Sequence, residues 1–297
     1  MKLKLIFLSA LCCAFLCGAG AKTILAADDS PAIQERLAEL EAASGGRLGV
    51  AMLDADGEVV ATYRDAERFP LCSTFKMMLA AAVLKQSVTE PDLLNRRITY
   101  AQEELISWSP VTEKHVADGL SVSELCAAAV RHSDNTAANL LLKLLGGPQE
   151  LTAFARSIGD PAFHLDRWET ALNEALPGDE RDTTTPKSMA YSLHKLALGN
   201  VLPAPQREML IDWLKGNTTG SASIRAGVPA DWIVGDKTGS GSYGTTNDIA
   251  VIWPPNEPPL ILTIYFTQNK PDAPARRDII AATAKLLVEY RLAQPRK

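Results

Sequence analysis

The run "PLCSTFKMMLAAAVL", residues 70–84, holds a single charge among almost wholly apolar neighbours. An ammonium without a partner is unfavourable away from water. Lys76 therefore sits either on a surface helix of odd composition or in the interior for a purpose. Ser73 and Thr74 suit a helix start, and the apolar run behind them suits a helix packed into a core. Ser73 and Lys76, at i and i+3, then share a face near the helix N-terminus, where free N–H groups supply a positive potential. Desolvation disfavours the ammonium, so the lysine could accept the serine's proton. The pattern is short, and taken alone it decides nothing.

On either side of this helix the chain falls into two kinds of segment. "RLGVAMLDADGEVVATYR" (47–64) reads as two strands about a turn at Ala55-Asp56-Gly57. Before it, "SPAIQERLAELEAAS" has a helical period, with Ser30 as N-cap and Pro31 in the first turn. Near the other end, 232–239, 246–254 and 259–268 read as three strands, followed by a helix over about 274–292. The stretch between, about 71–214, reads as almost all helical. "SVSELCAAAVRH" opens with a capping box, Ser121 to Glu124, and "TAANLLLKLLGG" stops on paired glycines. The predicted fold is α/β (α+β). Residues 28–70 and 215–297 form a five-stranded antiparallel sheet flanked by helices, and 71–214 is an inserted all-helical lobe. One polar stretch, 159–186, has little periodicity. A loop of that length in a compact domain is usually functional, and Arg167 and Asp182 bracket it with opposite charges.

Composition narrows the function. The 297 residues are 46% hydrophobic and 22% charged with a net charge of −5, as in soluble globular chains, and no basic run favours nucleic acid. Lys2 and Lys4 followed by an apolar Leu5–Leu16 read as a signal peptide, 1–21, with Ala19-Gly20-Ala21 as cleavage site and Ala27 as a later one. The apolar run is too short to span a bilayer comfortably, so the mature protein is expected to be exported, to a periplasm or secreted, without a membrane span. A monomer is expected. Three of the five cysteines lie in this leader, leaving Cys72 and Cys126. There is no C-x-x-C and no H-E-x-x-H, so neither a metal nor another cofactor is expected, and no G-x-S-x-G elbow is present.

Two more triplets give Ser73 and Lys76 their meaning. Ser133-Asp134-Asn135 falls at a helix-to-helix turn, and Lys237-Thr238-Gly239 ends a strand. Each alone is common turn or strand-end composition. S-x-x-K, S-D-N and K-T-G in this order are the signature of class A β-lactamases and penicillin-binding proteins. "RWETALN" (167–173) resembles the E-x-x-L-N element of the omega-type loop, here about 164–182. "GNTTGSASIRAGVPADWIVGDKTGSGSYGTTNDIAVIWP" closely resembles class A enzymes of the cefotaximase type.

The resemblance implies a hydrolase that opens β-lactam rings, oxyimino-cephalosporins included, and so confers resistance. It makes Ser73 the nucleophile, Lys76 its proton acceptor or relay, and Ser133 the proton donor to the lactam nitrogen. Lys237 supports Ser133 and attracts the substrate carboxylate. Backbone N–H groups of Ser73 and Ser240 form the oxyanion hole, and Glu169 with Asn173 holds the hydrolytic water. Asn135, Thr238, Gly239 and Ser240 contact substrate. Lys76 and Glu169 both stand as candidates for the acylation base. Trp108 matches the aromatic residue at the rim. Many class A enzymes carry an arginine at the position of Thr246. The cefotaximase type has one in the last helix instead, where Arg277 is either a substrate contact or a solvated charge. Cys72 and Cys126 lack the partners their equivalents have in other relatives, because Gly241 and Ala80 stand there. No disulfide is therefore expected, nor efficient carbapenem hydrolysis. The rival functions are a DD-peptidase, which lacks the Glu169 element, and a drug sensor, which would acylate without deacylating.

Overall fold

A computed structural model describes residues 31–294, so the expected leader and the Ser30 cap lie outside the described residues. The first helix is Pro31–Ser44 (α1), and the hairpin after it is Arg47–Leu53 (β1) and Val59–Tyr63 (β2), with Val50 opposite Tyr63. Phe69–Pro70 (β3) leads into one 3-10 turn, Cys72–Thr74, and then Phe75–Gln86 (α2), buried from Phe75 to Leu84.

The inserted segment is not helical throughout. Between α2 and residue 121 it holds only 3-10 turns and a small ribbon, Arg97–Ile98 (β4) against Leu120–Ser121 (β5). Pro91, Pro110 and Gly119 break any helical period there. The buried Asp134 holds part of this backbone, accepting hydrogen bonds from Val111 N and Thr112 N at 3.0 and 2.9 Å. Val122–Arg131 (α3) opens on the Ser121–Glu124 capping box, and Asn135–Leu145 (α4) ends at Gly146 in the left-handed region, φ 102°. Pro148–Ser157 (α5) follows, then Thr183–Thr184 (β6) paired with β3, Pro186–Ala197 (α6), Ala204–Lys215 (α7) and the short Ile224–Gly227 (α8).

The chain returns to the sheet through Ile233–Ser240 (β7), Thr246–Trp253 (β8) and Leu260–Thr267 (β9), and closes with Arg277–Ala293 (α9). The last helix starts three residues later than expected. Gln268 Nε2 donates to Pro274 O at 2.9 Å and Tyr243 N to Pro271 O at 3.0 Å, which holds the preceding non-helical segment against the β7–β8 turn. The sheet is antiparallel, in the order β2-β1-β9-β8-β7, so the two ends of the chain meet at the β1–β9 pair. Side chains alternate between its faces. On β9, Leu260, Leu262, Ile264 and Phe266 pack with Ile33 and Leu37 of α1 and with Ile280 and Leu287 of α9. Ile261 and Tyr265 face the other core, with Phe75 and Leu79 of α2 and Leu193 of α6.

Candidate active site

β7 runs against the turn that begins α2. A Cβ on Gly239 would stand 3.0 Å from Leu71 O and 3.2 Å from Cys72 Cβ, so the strand passes tightly here and a side chain would press on the turn. Asn247 of β8 donates to Pro70 O at 2.8 Å, and Leu71 N donates to Asp182 O at 2.8 Å. The two grips fix the approach to Ser73.

The charge in the apolar run is buried, and it is not bare. Lys76 Nζ donates to Ser73 Oγ at 3.0 Å, to Ser133 O at 2.9 Å and to Asn135 Oδ1 at 2.5 Å. It also pairs with Glu169 Oε1 at 2.9 Å, and neither side chain is exposed to solvent. Ser73 Oγ lies 3.4 Å from the same carboxylate oxygen. Glu169 comes from the polar stretch 159–186. Asp182 Oδ2 pairs with Arg167 Nε at 2.5 Å, while its Oδ1 accepts the N–H groups of Asp166 and Arg167. Asn139 of α4 clasps the Glu169 backbone from both sides, at 3.0 Å to its N–H and 2.9 Å to its carbonyl. Asn173 Nδ2 donates to Glu169 Oε2 at 2.6 Å, while Asn173 Oδ1 is buried without a hydrogen-bond partner.

Ser133 stands between α3 and α4 in the left-handed region, φ 57°, with Asp134 capping α4 through Ala137 N at 2.8 Å. Its Oγ receives Lys237 Nζ at 3.1 Å and Lys76 Nζ at 3.4 Å. Burial, and then the nearby charge of Lys76, brings the Lys237 pKa down to about 7. Behind it on the sheet, burial raises the carboxyls of Asp236 and Asp248 above the usual range, and Asp236 also accepts Arg225 Nε at 2.5 Å. Ser73 and Ser133 open on a groove of about 300 Å³, lined also by Asn135, Asn173 and Ser240 among others, while Lys76, Glu169 and Lys237 lie buried behind it.

The profile of the Beta-lactamase enzyme family matches residues 32–291. The chain is 56% identical over 258 residues to beta-lactamase OXY-1 of Klebsiella oxytoca, covering 87% of this chain and 89% of that one. It is 57% identical over 255 residues to beta-lactamase CTX-M-97 of Escherichia coli, covering 86% and 88%. A solved ancestral class A beta-lactamase (GNCA) superposes with a TM-score of 0.83 at 60% identity, covering 86% of this chain and 99% of that one. The chain belongs to the class A β-lactamases. It is a β-lactam hydrolase of the cefotaximase type.

In this β-lactamase the groove is lined by Asn135, Asn173, Ser240 and the residues that follow, whereas Lys237 is buried behind Ser133 and does not line it. Trp108, 64% exposed, stands at the rim with its indole N–H on His132 O at 3.1 Å. Thr238, Gly239, Thr246 and the exposed Arg277 line the same groove, whereas the adjacent Arg276 folds back onto Asp278 at 2.8 Å. Thr219 and Ser223 also line it and went unread in the sequence, because "GNTTGSAS" has the composition of any polar loop. Asn139 was missed too; only its i+4 spacing from Asn135 on α4 hints that both face the site. Cys72 and Cys126 are free and buried, and burial pushes both thiols up. The four histidines are engaged elsewhere, with Asp118, Thr218, Asp166 and Ala55 O. Among the described residues no group of three or more His, Cys, Asp or Glu could hold a metal ion, and no helix is long and apolar enough to cross a membrane.

Proposed function

We propose that the enzyme cleaves β-lactams through a Ser73 acyl-enzyme that Glu169 then clears with an activated water. One observation carries this reading: Ser73 Oγ lies within reach of both Lys76 Nζ, at 3.0 Å, and Glu169 Oε1, at 3.4 Å. The ammonium of Lys76 donates to Ser73 Oγ, so the serine's own hydrogen is directed to Glu169, which takes it as Oγ attacks the lactam carbonyl. The N–H groups of Ser73 and Ser240 receive the oxyanion. As the C–N bond breaks, Ser133 gives its hydroxyl proton to the nitrogen and is resupplied from Lys76, 3.4 Å away. Lys76 then recovers a proton from Glu169, 2.9 Å away, which restores both the ammonium and the carboxylate before deacylation. Lys237, Thr238, Ser240 and Arg277 hold the substrate carboxylate. Asn135 and Asn173 meet the acylamide group, and Trp108 covers the rim. Deacylation then needs a water against the ester. The unpaired Asn173 Oδ1 is an acceptor for it, and Glu169 Oε2, held at 2.6 Å by Asn173 Nδ2, is its base.

The two lobes, 28–70 with 215–297 and 71–214, meet at this groove, and the omega-type loop 164–182 supplies its floor. Penicillins and early cephalosporins are the expected substrates. Likeness to CTX-M-97 supports oxyimino-cephalosporins as well. The N-terminal composition supports export to a periplasm, and the protein acts as a monomer.

Glu169→Ala tests the assignment. Without its Glu169 partner the buried Lys76 can lose its proton, and in that neutral form it gives acylation a second route, whereas deacylation loses its base and slows by roughly 10² to 10⁴-fold. Mass spectrometry of the variant with benzylpenicillin should show one added substrate mass, stable for minutes. Neither an adduct nor slowed turnover would mean that Glu169 is not the deacylation base. Ser73→Ala should abolish both hydrolysis and adduct while the fold survives.

A further inference from the structure

Thr219 and Thr238 face each other on one wall of the groove, Oγ1 to Oγ1 at 2.5 Å. Distance alone leaves the donor undecided, but the neighbours settle it. The backbone N–H of Thr219 donates to the buried side chain of Asn217 at 3.1 Å. An N–H can only donate, so the Asn217 atom there is its carbonyl oxygen, and the amide nitrogen turns the other way onto Asp236 Oδ2. The same oxygen lies 2.8 Å from Thr219 Oγ1. A carbonyl carries no hydrogen, so Thr219 supplies the one in that contact. A hydroxyl has only one hydrogen to give. Thr238 is therefore the donor in the contact between the two threonines, and its hydrogen points into the wall, away from the substrate.

We propose that Thr219 is a positioning residue that frees Thr238 for the substrate carboxylate. As the carboxylate enters, Thr219 turns its hydrogen from Asn217 Oδ1 to Thr238 Oγ1, and Thr238 turns its own onto the substrate. Two O–H bonds rotate and no proton changes owner. Asn217 Oδ1 keeps the Thr219 N–H throughout, so neither arrangement leaves a buried acceptor orphaned. In the bound arrangement the aligned hydroxyls also polarise one another, which strengthens Thr238 as a donor. The inference rests on the reading that Thr238 meets the carboxylate.

Thr219→Val keeps the shape and removes the hydroxyl. Thr238 can still donate to the substrate, but its lone pair then faces a methyl group with nothing to accept from. KM for benzylpenicillin should rise roughly fivefold with kcat unchanged, and Thr219→Ser should restore it. The methyl ester of benzylpenicillin, which has no anion to bind, should show no such effect. Equal effects on acid and ester, or no effect on either, overturn the switch. Thr238→Val separates the two levels: if it leaves the preference for acid over ester untouched, Thr238 does not meet the carboxylate and the underlying reading fails. Neutron diffraction of the free enzyme in D2O tests the hydrogen directly. Deuterium on Thr238 Oγ1 directed at Thr219 is the expected result, and deuterium on Thr219 Oγ1 directed at Thr238 overturns the inference.

Discussion

Lys237 is the residue whose charge is least secure. Burial and the charge of Lys76 pull its pKa from the ordinary 10.5 down to about 7, against the opposing charges of Asp236, Asp248 and Glu169. The opposition is weakened because burial raises both the Asp236 and the Asp248 carboxyls above their usual range. Below about 7 the ammonium is present to attract a carboxylate, and above it the amine is neutral. The kcat/KM for benzylpenicillin should therefore decline as pH rises through about 7. Lys237→Arg, charged throughout, should flatten that alkaline limb. A limb unmoved by the substitution would assign the decline to another group. The effect on stability has the opposite sign. Between about 7 and the ordinary 10.5, the unfolded chain holds a proton that the folded one has lost, so this group makes stability rise with pH in that window. A urea midpoint that falls from pH 7.5 to 9.5 more steeply in the wild type than in Lys237→Arg would contradict this.

At the scale of elements, the site depends on how closely β7 lies against its neighbours. A Cβ on Gly241 would stand 2.7 Å from both Asn173 O and the buried Cys72 Sγ, and Ser242 N donates to Asn173 O at 3.0 Å. Backbone on one side and a packed sulfur on the other cannot yield cheaply. Gly241→Ala should destabilise the fold by about 1–3 kcal/mol and push the Asn173 segment away from Ser73. Because Asn173 holds Glu169, deacylation should suffer more than acylation, which a pre-steady-state burst would report. Steady turnover without a burst, at wild-type stability, would refute the argument. The resemblance already places Gly241 opposite Cys72, but its closeness to Asn173 O is not legible in a sequence. What could be read was periodic or charged: the alternating strands, the α3 capping box, the opposite signs of Arg167 and Asp182, and the lysine of α2. Residues 87–121 were misread as helical because their backbone is held by distant side chains such as Asp134, which leaves no local period. Asn217 and Thr219 were passed over for the same reason, their part being fixed by Asp236 on a strand many residues later.

For the whole molecule, the question is whether the two lobes are separate cooperative units. A chain of this length often unfolds in stages. Here, however, one apolar core runs through both lobes. Ala51 and Leu53 of β1, Val251 of β8 and Ile261 and Tyr265 of β9 share it with α2, α3 and α4 of the insertion. α6 is joined to the sheet by Thr263 Oγ1, which donates to Pro186 O at 2.9 Å, and β8 holds the approach to α2 through Asn247. Unfolding the insertion alone would expose that face of the sheet together with Lys76 and Lys237, whose burial needs both lobes. Urea unfolding followed by far-ultraviolet circular dichroism and by tryptophan fluorescence should therefore give coincident transitions. The fluorescence probe spans the molecule, since Trp108, Trp168 and Trp213 lie in the insertion and Trp232 and Trp253 with the sheet. A ligand held across the groove should move both curves together by mass action. If fluorescence and circular dichroism change at different urea concentrations, the shared core does not couple the lobes. The groove would then have to be regarded as a hinge between two folding units.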